Sequence, residues 1–168
     1  MIKVLFVCHG NICRSPMAEY IFREMIDREG LTGLVAAESA GTSAEELGRP
    51  VYPEARAYLR GMGIDPDGKR AKQVCASDFD DFDFIVAMER YNLTNLRRFG
   101  GRVRDGQLWL LRDFSDEGGD IEDPWYSGNF DVVGRQIREG CEGLVEWLKR
   151  EYPELKAAAL RGNHTGRR

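Results

Sequence analysis

A chain of 168 residues, 42% hydrophobic and 31% charged, has the size of one globular domain able to bury about 70% of its surface. Its formal net charge of -4, from 24 lysines and arginines against 28 acidic residues, offers no positive field for a polyanion and argues against a nucleic-acid partner. The N-terminus lacks the basic, apolar and small-residue succession of a secretory signal, and no apolar run approaches ~18 residues, so no membrane partner is expected and a cytoplasmic, thiol-reducing location is.

Lys3-Val4-Leu5-Phe6-Val7 is a short β-branched and apolar run, the pattern of a buried parallel strand. Ser15-Pro16 then reads as an N-cap followed by proline at the first helical position, with Glu19 in the first turn. Met17, Ile21, Phe22, Met25 and Ile26 follow at helical spacing, and Gly30 closes the helix. Val35 to Ala40 is a weaker strand ending at Gly41, and Pro53 opens a helix through Leu59 that closes near Gly61 or Gly63. Phe84 to Met88 reads as another buried strand, followed by a helix around Asn92 to Phe99. Leu108 to Leu111 makes a fourth strand, and a polar loop from Asp113 to Asn129 leads into a last helix, Asp131 to about Glu151. On that helix Ile137, Cys141, Leu144, Val145 and Leu148 form one apolar stripe, and Pro153 ends it. Strands alternating with helices predict a three-layer α/β domain with a parallel sheet over residues 1–156, and residues 157–168 read as a polar, frayed tail. The one basic patch, Arg97, Arg98, Arg102 and Arg104, reads as a solvated loop around Gly100 and Gly101.

In such sheets ligands bind beyond the carboxyl ends of the strands. The segment Cys8-His9-Gly10-Asn11-Ile12-Cys13-Arg14-Ser15 lies there, running from a strand end into a helix N-terminus whose N–H groups and dipole make an anion cradle. It is not a nucleotide-binding loop, since neither Gly-x-x-x-x-Gly-Lys-Ser/Thr nor Gly-x-Gly-x-x-Gly occurs. A cysteine facing those N–H groups with Arg14 nearby is expected to be a thiolate. Arg14 offers a planar fork for two oxygens of a phosphate, and Ser15 a hydroxyl for the sulfur. Read structurally instead, Cys8 is a small core residue and Arg14 a surface charge, because a bare Cys-x5-Arg is a weak signal in a chain with four cysteines. The preceding strand, the Ser-Pro helix start, and Gly10-Asn11, both tolerant of a left-handed backbone, favour the anion site.

Phosphoryl transfer to sulfur also needs an acid for the leaving oxygen. Asp123-Pro124-Trp125-Tyr126, in a loop with Gly118, Gly119 and Gly128 on either side, supplies a candidate whose aromatics could stack on a substrate ring. By itself the segment also reads as a turn with buried aromatics. A zinc site is not expected: there is no Cys-x-x-Cys, and the histidines are His9 and His164.

The motifs "VCHGNICRSPMAE" (7–19), "SAGT" (39–42), "DFDFIVAMERYNL" (81–93) and "DPWYSGNF" (123–130) occur in an order and spacing that resemble the low-molecular-weight protein tyrosine phosphatases. The likeness runs from Lys3 to about Tyr152. It implies a four-stranded parallel sheet with helices on both faces, a Rossmann-like phosphotyrosine phosphatase I fold, and no cofactor. It also implies Cys8 as nucleophile, Arg14 as phosphate ligand, Ser15 as hydrogen-bond donor to the thiolate and Asp123 as general acid and base. Asn11 would hold the loop's strained shape. His9, Gly10, Ile12 and Cys13 along the loop, with Glu45, Trp125 and Tyr126 around it, complete the substrate- and phosphate-binding set. The implied substrates are phosphotyrosine proteins, with inorganic phosphate or other oxyanions able to occupy the loop.

Four positions depart from the family pattern. An aromatic residue at the pocket lip is replaced by Glu45 and Glu46, which predicts a preference for substrates with basic flanks. Lys69 stands where a histidine is common, and Glu89 where an aspartate is common. Cys13 reads either as a small buried residue or as a resolving thiol for oxidised Cys8, and the resemblance supports the second. Two rival functions are an arsenate reductase sharing the Cys-x5-Arg loop and a silent phosphate-binding module. The first needs two further cysteines near one another, but after Cys75 the next is Cys141; the second would be expected to lose Cys8 or Asp123.

Overall fold

The computed structural model describes residues 1–165. Four strands, β1 (Ile2–Cys8), β2 (Val35–Gly41), β3 (Phe84–Ala87) and β4 (Leu108–Leu110), form one parallel sheet in the order β2-β1-β3-β4. The expected α/β architecture is therefore the observed one. The register sets Cys8 opposite Gly41 at the carboxyl edge.

β1 is apolar and buried from Val4 to Cys8 because both of its faces are covered there. Val4, Phe6 and Cys8 enter one core layer, while Leu5 and Val7 enter the other. The larger layer is filled by Met17, Ile21, Phe22 and Ile26 of α1 (Arg14–Arg28) and by the predicted stripe of α6 (Phe130–Glu151), Ile137 through Leu148. Ala55 and Leu59 of α2 (Pro53–Gly61) join them. The smaller layer takes Phe79 of α3 (Asp78–Asp81), Phe82, and Leu96 of α4 (Arg90–Leu96). Gly143 inside α6 has a packing reason: a Cβ there would clash with the Phe114 carbonyl oxygen of the 3-10 turn Leu111–Phe114.

Helix boundaries differ from the expected ones where side chains have other work. α1 starts at Arg14 with Cys13 as its N-cap, not at Ser15-Pro16, because the Ser15 hydroxyl is engaged by the Cys8 loop. Pro16 is tolerated at the third helical position, where no intrahelical N–H bond is lost. The C-terminal end is as expected: Gly30 adopts φ 74°, with Gly30 N–H bonding Asp27 O and Leu31 N–H bonding Ile26 O. The polar loop 113–129 contains a short helix, α5 (Pro124–Ser127).

Residues 157–165 of the expected frayed tail are helical, continuing a segment that starts at Pro153. This segment, α7 (Pro153–Thr165), buries Leu155, Ala158 and Ala159 against the larger layer. Those three residues are an apolar stripe at helical spacing, diluted by polar neighbours. Residues 166–168 of the expected tail lie outside the described residues. Among the described residues no helix is long and apolar enough to cross a membrane.

Candidate active site

Residues 8–15 leave β1 and fold back into α1 around Asn11, which adopts φ 60°. A left-handed non-glycine residue costs about 1–3 kcal/mol and persists only when its surroundings hold it. Here they do: Asn11 Nδ2 donates to Ser15 Oγ (2.8 Å) and Ser39 Oγ (2.9 Å), and Oδ1 accepts from the Lys72 N–H (3.0 Å). The turn aims the Asn11 backbone N–H at Cys8 Sγ, 3.3 Å away. Ser15 Oγ lies 3.0 Å from the same sulfur. Because Ser15 Oγ already accepts from Asn11, its own proton goes to Cys8; the other acceptor, Ala40 O at 3.5 Å, is too far for an ordinary O–H···O bond. Gly41 flanks the loop closely, and a Cβ there would stand 2.6 Å from His9 O.

The same logic fixes the direction of the next bonds. Ser39 Oγ accepts from Asn11 and so donates to Glu19 Oε1, 2.6 Å away. Glu19 is 2% exposed and is met by Arg23 Nη2 at 2.7 Å and Lys69 Nζ at 3.4 Å. Lys69 Nζ also donates to Ser39 O at 3.0 Å. Burial pulls the Lys69 pKa down, opposed by the Glu19 charge. Glu19 lies in the second turn of α1, not the first, and is a buried anchor rather than a dipole partner. Lys69, at the position noted above as commonly a histidine, supplies with Arg23 the cations that hold it.

Arg14 is 2% exposed. Its Nη1 donates to Ile121 O (2.9 Å), and its Nη2 faces Glu89 Oε1 (3.2 Å) and Asp123 Oδ2 (3.5 Å). Burial lowers its pKa, but the charges of Cys8, Glu89 and Asp123 outweigh burial and raise it. Asp123 is the N-cap of α5: its Oδ1 accepts the Trp125 N–H at 3.0 Å, leaving Oδ2 toward Arg14.

Cys8, His9, Gly10, Ile12, Cys13, Arg14, Glu45, Asp123, Trp125 and Tyr126 all line one cleft of about 260 Å³, joined by Glu46. Asn11 and Ser15 do not line it; they are buried beneath the loop and act on Cys8 from below. Trp125 and Tyr126 are 58% and 86% exposed, so the aromatics border the cleft and the reading of a turn around buried rings does not hold. Glu45 lies 3.6 Å from His9 Nε2, while Glu46 pairs with Arg49 at 3.0 Å. Cys13 is buried; burial and then the Cys8 charge push its thiol pKa well up. Cys75 is exposed beside Ser77, and Cys141 is buried on α6 against Ala18 O.

Sequence reasoning did not place Glu19 or Ser39 in the site, and it met Glu89 only as a departure from the family pattern. Ser39 belongs to a motif already noted, whereas the Glu19–Lys69 pair joins residues far apart in the chain and leaves no local pattern.

The family model for low molecular weight phosphotyrosine protein phosphatase matches residues 3–154. The low molecular weight protein-tyrosine-phosphatase YfkJ of Bacillus subtilis is 43% identical over 153 residues, covering 90% of this chain and 98% of that one. Its crystal structure superposes with a TM-score of 0.86, covering 90% of this chain and 97% of that chain. A protein tyrosine phosphatase from Entamoeba histolytica, solved with Hepes in its active site, is 30% identical with a TM-score of 0.80, covering 92% and 99% of the two chains. A Drosophila arginine phosphatase is 31% identical with a TM-score of 0.80, covering 88% and 98%.

Proposed function

The chain belongs to the low-molecular-weight phosphotyrosine protein phosphatase family, and from that premise we propose that it hydrolyses phosphotyrosine and aryl phosphates through a cysteinyl-phosphate intermediate on Cys8. The observation that carries this reading is one sulfur, bonded by Ser15 Oγ at 3.0 Å and the Asn11 N–H at 3.3 Å, in a cleft that also holds Arg14 and Asp123.

In the first displacement the Cys8 thiolate attacks phosphorus, the S–P bond forms and the P–O bond to the aryl group breaks. Asp123 gives its proton to the leaving phenolate oxygen. Arg14 and the loop N–H groups hold the remaining phosphoryl oxygens, the Arg14 fork matching two of them. In the second displacement Asp123, now a carboxylate, takes a proton from water as the water oxygen attacks phosphorus. The S–P bond breaks, and the Ser15 hydroxyl stabilises the departing thiolate. Nothing in this sequence of steps calls for a cofactor.

Tyrosine-bearing phosphoproteins are the substrates this cleft suits: Ile12, Trp125 and Tyr126 offer apolar and aromatic contact beside the phosphate site. Dependence on a free thiolate suits a reducing compartment such as the cytoplasm, and the presence of Cys13 on the same cleft supports its reading as the thiol that traps an oxidised Cys8. The test compares hydrolysis of p-nitrophenyl phosphate, phosphotyrosine and phosphoarginine by wild type and Cys8→Ser. Turnover of the first two that survives EDTA, stops with vanadate and vanishes in Cys8→Ser is the expected result. Faster turnover of phosphoarginine would transfer the reading to the chemistry of the Drosophila relative.

A further inference from the structure

A second cleft, of about 220 Å³, opens beside the catalytic one. Ile12, Glu46 and Trp125 line both, so the two are continuous across these residues. Pro50, Val51 and Tyr52 give the second cleft an apolar wall, and Arg49 and Arg56 line it as well.

Three charged groups set its character. Arg49 Nη1 lies 3.0 Å from Glu46 Oε2, and those charges cancel. Arg56 has no carboxylate partner among the described residues. Its Nη2 donates to Val51 O at a long 3.4 Å, and its solvent-shielded Nε has no hydrogen-bond partner. The cleft thus carries one uncompensated guanidinium over an apolar wall, next to the phosphate site. Glu46 being neutralised, the two lip glutamates do not act as a doubly negative rim.

We propose that this cleft receives an acidic side chain of the substrate, Asp or Glu within two residues of the phosphotyrosine, with its carboxylate on Arg56. The proposal rests on the reading of the Cys8 cleft as the phosphotyrosine site. An extended peptide advances ~3.3 Å per residue, so a neighbouring side chain reaches a cleft that shares walls with the first. The carboxylate gives the guanidinium a charged acceptor, and the apolar wall takes the methylene stem. Arg56 is only partly buried, so the effect is that of a surface pair, about five-fold and fading with salt.

The experiment measures kcat/KM on matched phosphotyrosine peptides with Glu, Gln or Lys at each position within two residues of the phosphotyrosine. Wild type, Arg56→Gln, Arg56→Lys and Arg49→Gln are compared, with p-nitrophenyl phosphate as the substrate that touches only the catalytic cleft. The expected result is a wild-type preference of about five-fold for Glu over Gln at one of these positions, lost in Arg56→Gln, retained in Arg56→Lys and reduced in Arg49→Gln, which frees Glu46. Turnover of p-nitrophenyl phosphate stays at the wild-type level in all. No Glu preference in wild type, or one that survives Arg56→Gln while p-nitrophenyl phosphate is hydrolysed normally, overturns the proposal. A wild-type protein inert to p-nitrophenyl phosphate overturns the catalytic reading, and this proposal with it.

Discussion

Asp123 Oδ2 stands 3.5 Å from Arg14 Nη2, so the proposed acid and the proposed phosphate ligand face each other directly. Glu89 Oε1, at 3.2 Å, shares the same nitrogen and holds the guanidinium when Asp123 turns to substrate. Arg14 is nearly inaccessible, and its position is set by Glu89 and Ile121 O as much as by Asp123.

Removing the Asp123 carboxylate therefore leaves the phosphate grip intact while deleting the proton donor. Asp123→Ala is expected to lose on the order of a hundred- to ten-thousand-fold in kcat on phosphotyrosine, the usual worth of a general acid. The loss is smaller on aryl phosphates whose phenols are already acidic, and inorganic phosphate inhibits no more weakly than in wild type. Equal losses on both kinds of substrate take Asp123 out of the acid role.

The donors from Asn11 to Ser39 to Glu19 end on a carboxylate held by Lys69, whose side chain is 11% exposed. Lys69→Met removes one of the two cations on Glu19, Arg23 remaining at 2.7 Å, and is expected to cost about 2 kcal/mol in urea unfolding. kcat falls with little change in KM, because the loop's shape rather than substrate contact is disturbed. Lys69→Arg keeps a cation and recovers most of both. A Lys69→Met protein with wild-type stability and kcat shows the pair to be idle.

What could be read in advance follows from how local each signal is. The apolar run of β1 and the stripes of α1 and α6 are short-range patterns, and the structure contains them. The Cys8 loop and Asp123 were legible because strand-loop-helix order and motif spacing are also local, and the cleft brings them together. Ser15-Pro16 misled because a serine before proline gives the same local signal whether its hydroxyl caps a helix or serves a sulfur. α7 was missed because Leu155, Ala158 and Ala159 are few among polar residues, and their burial depends on the layer they meet. The Glu19–Lys69 pair was invisible for a related reason, since Glu19 reads locally as an acidic first-turn residue and Lys69 lies 50 residues further along the chain.

Cys13 lines the cleft with Cys8, and burial, then the Cys8 charge, raises its thiol pKa, so Cys8 and not Cys13 is the thiol that peroxide meets first. Peroxide is expected to convert Cys8 to a sulfenic acid that Cys13 attacks, forming a disulfide and releasing water. Activity then returns with dithiothreitol. Cys13→Ser should be carried to higher oxidation states and recover poorly; recovery equal to wild type makes Cys13 a packing residue.

Cys141 is fully buried, and desolvation raises its thiol pKa. A raised native pKa means that above the unfolded value, about 8.5, the unfolded chain releases a proton the native chain keeps. Stability is then fully present below that pH and falls above it, by about 1.4 kcal/mol per pH unit for one thiol. Cys141→Ala should flatten the alkaline limb of unfolding free energy by that slope. An unchanged limb contradicts the assignment.

The most direct test of the central claim is the covalent intermediate itself. Asp123→Ala, given an aryl phosphate with an acidic phenol, forms the cysteinyl phosphate but lacks the base that hydrolyses it. Rapid acid quench followed by peptide mass spectrometry is predicted to find one phosphoryl group on the peptide bearing Cys8, and none when Cys8→Ser is added. Phosphorylation elsewhere, or turnover with no phosphoenzyme and with Cys8→Ser still active, contradicts it.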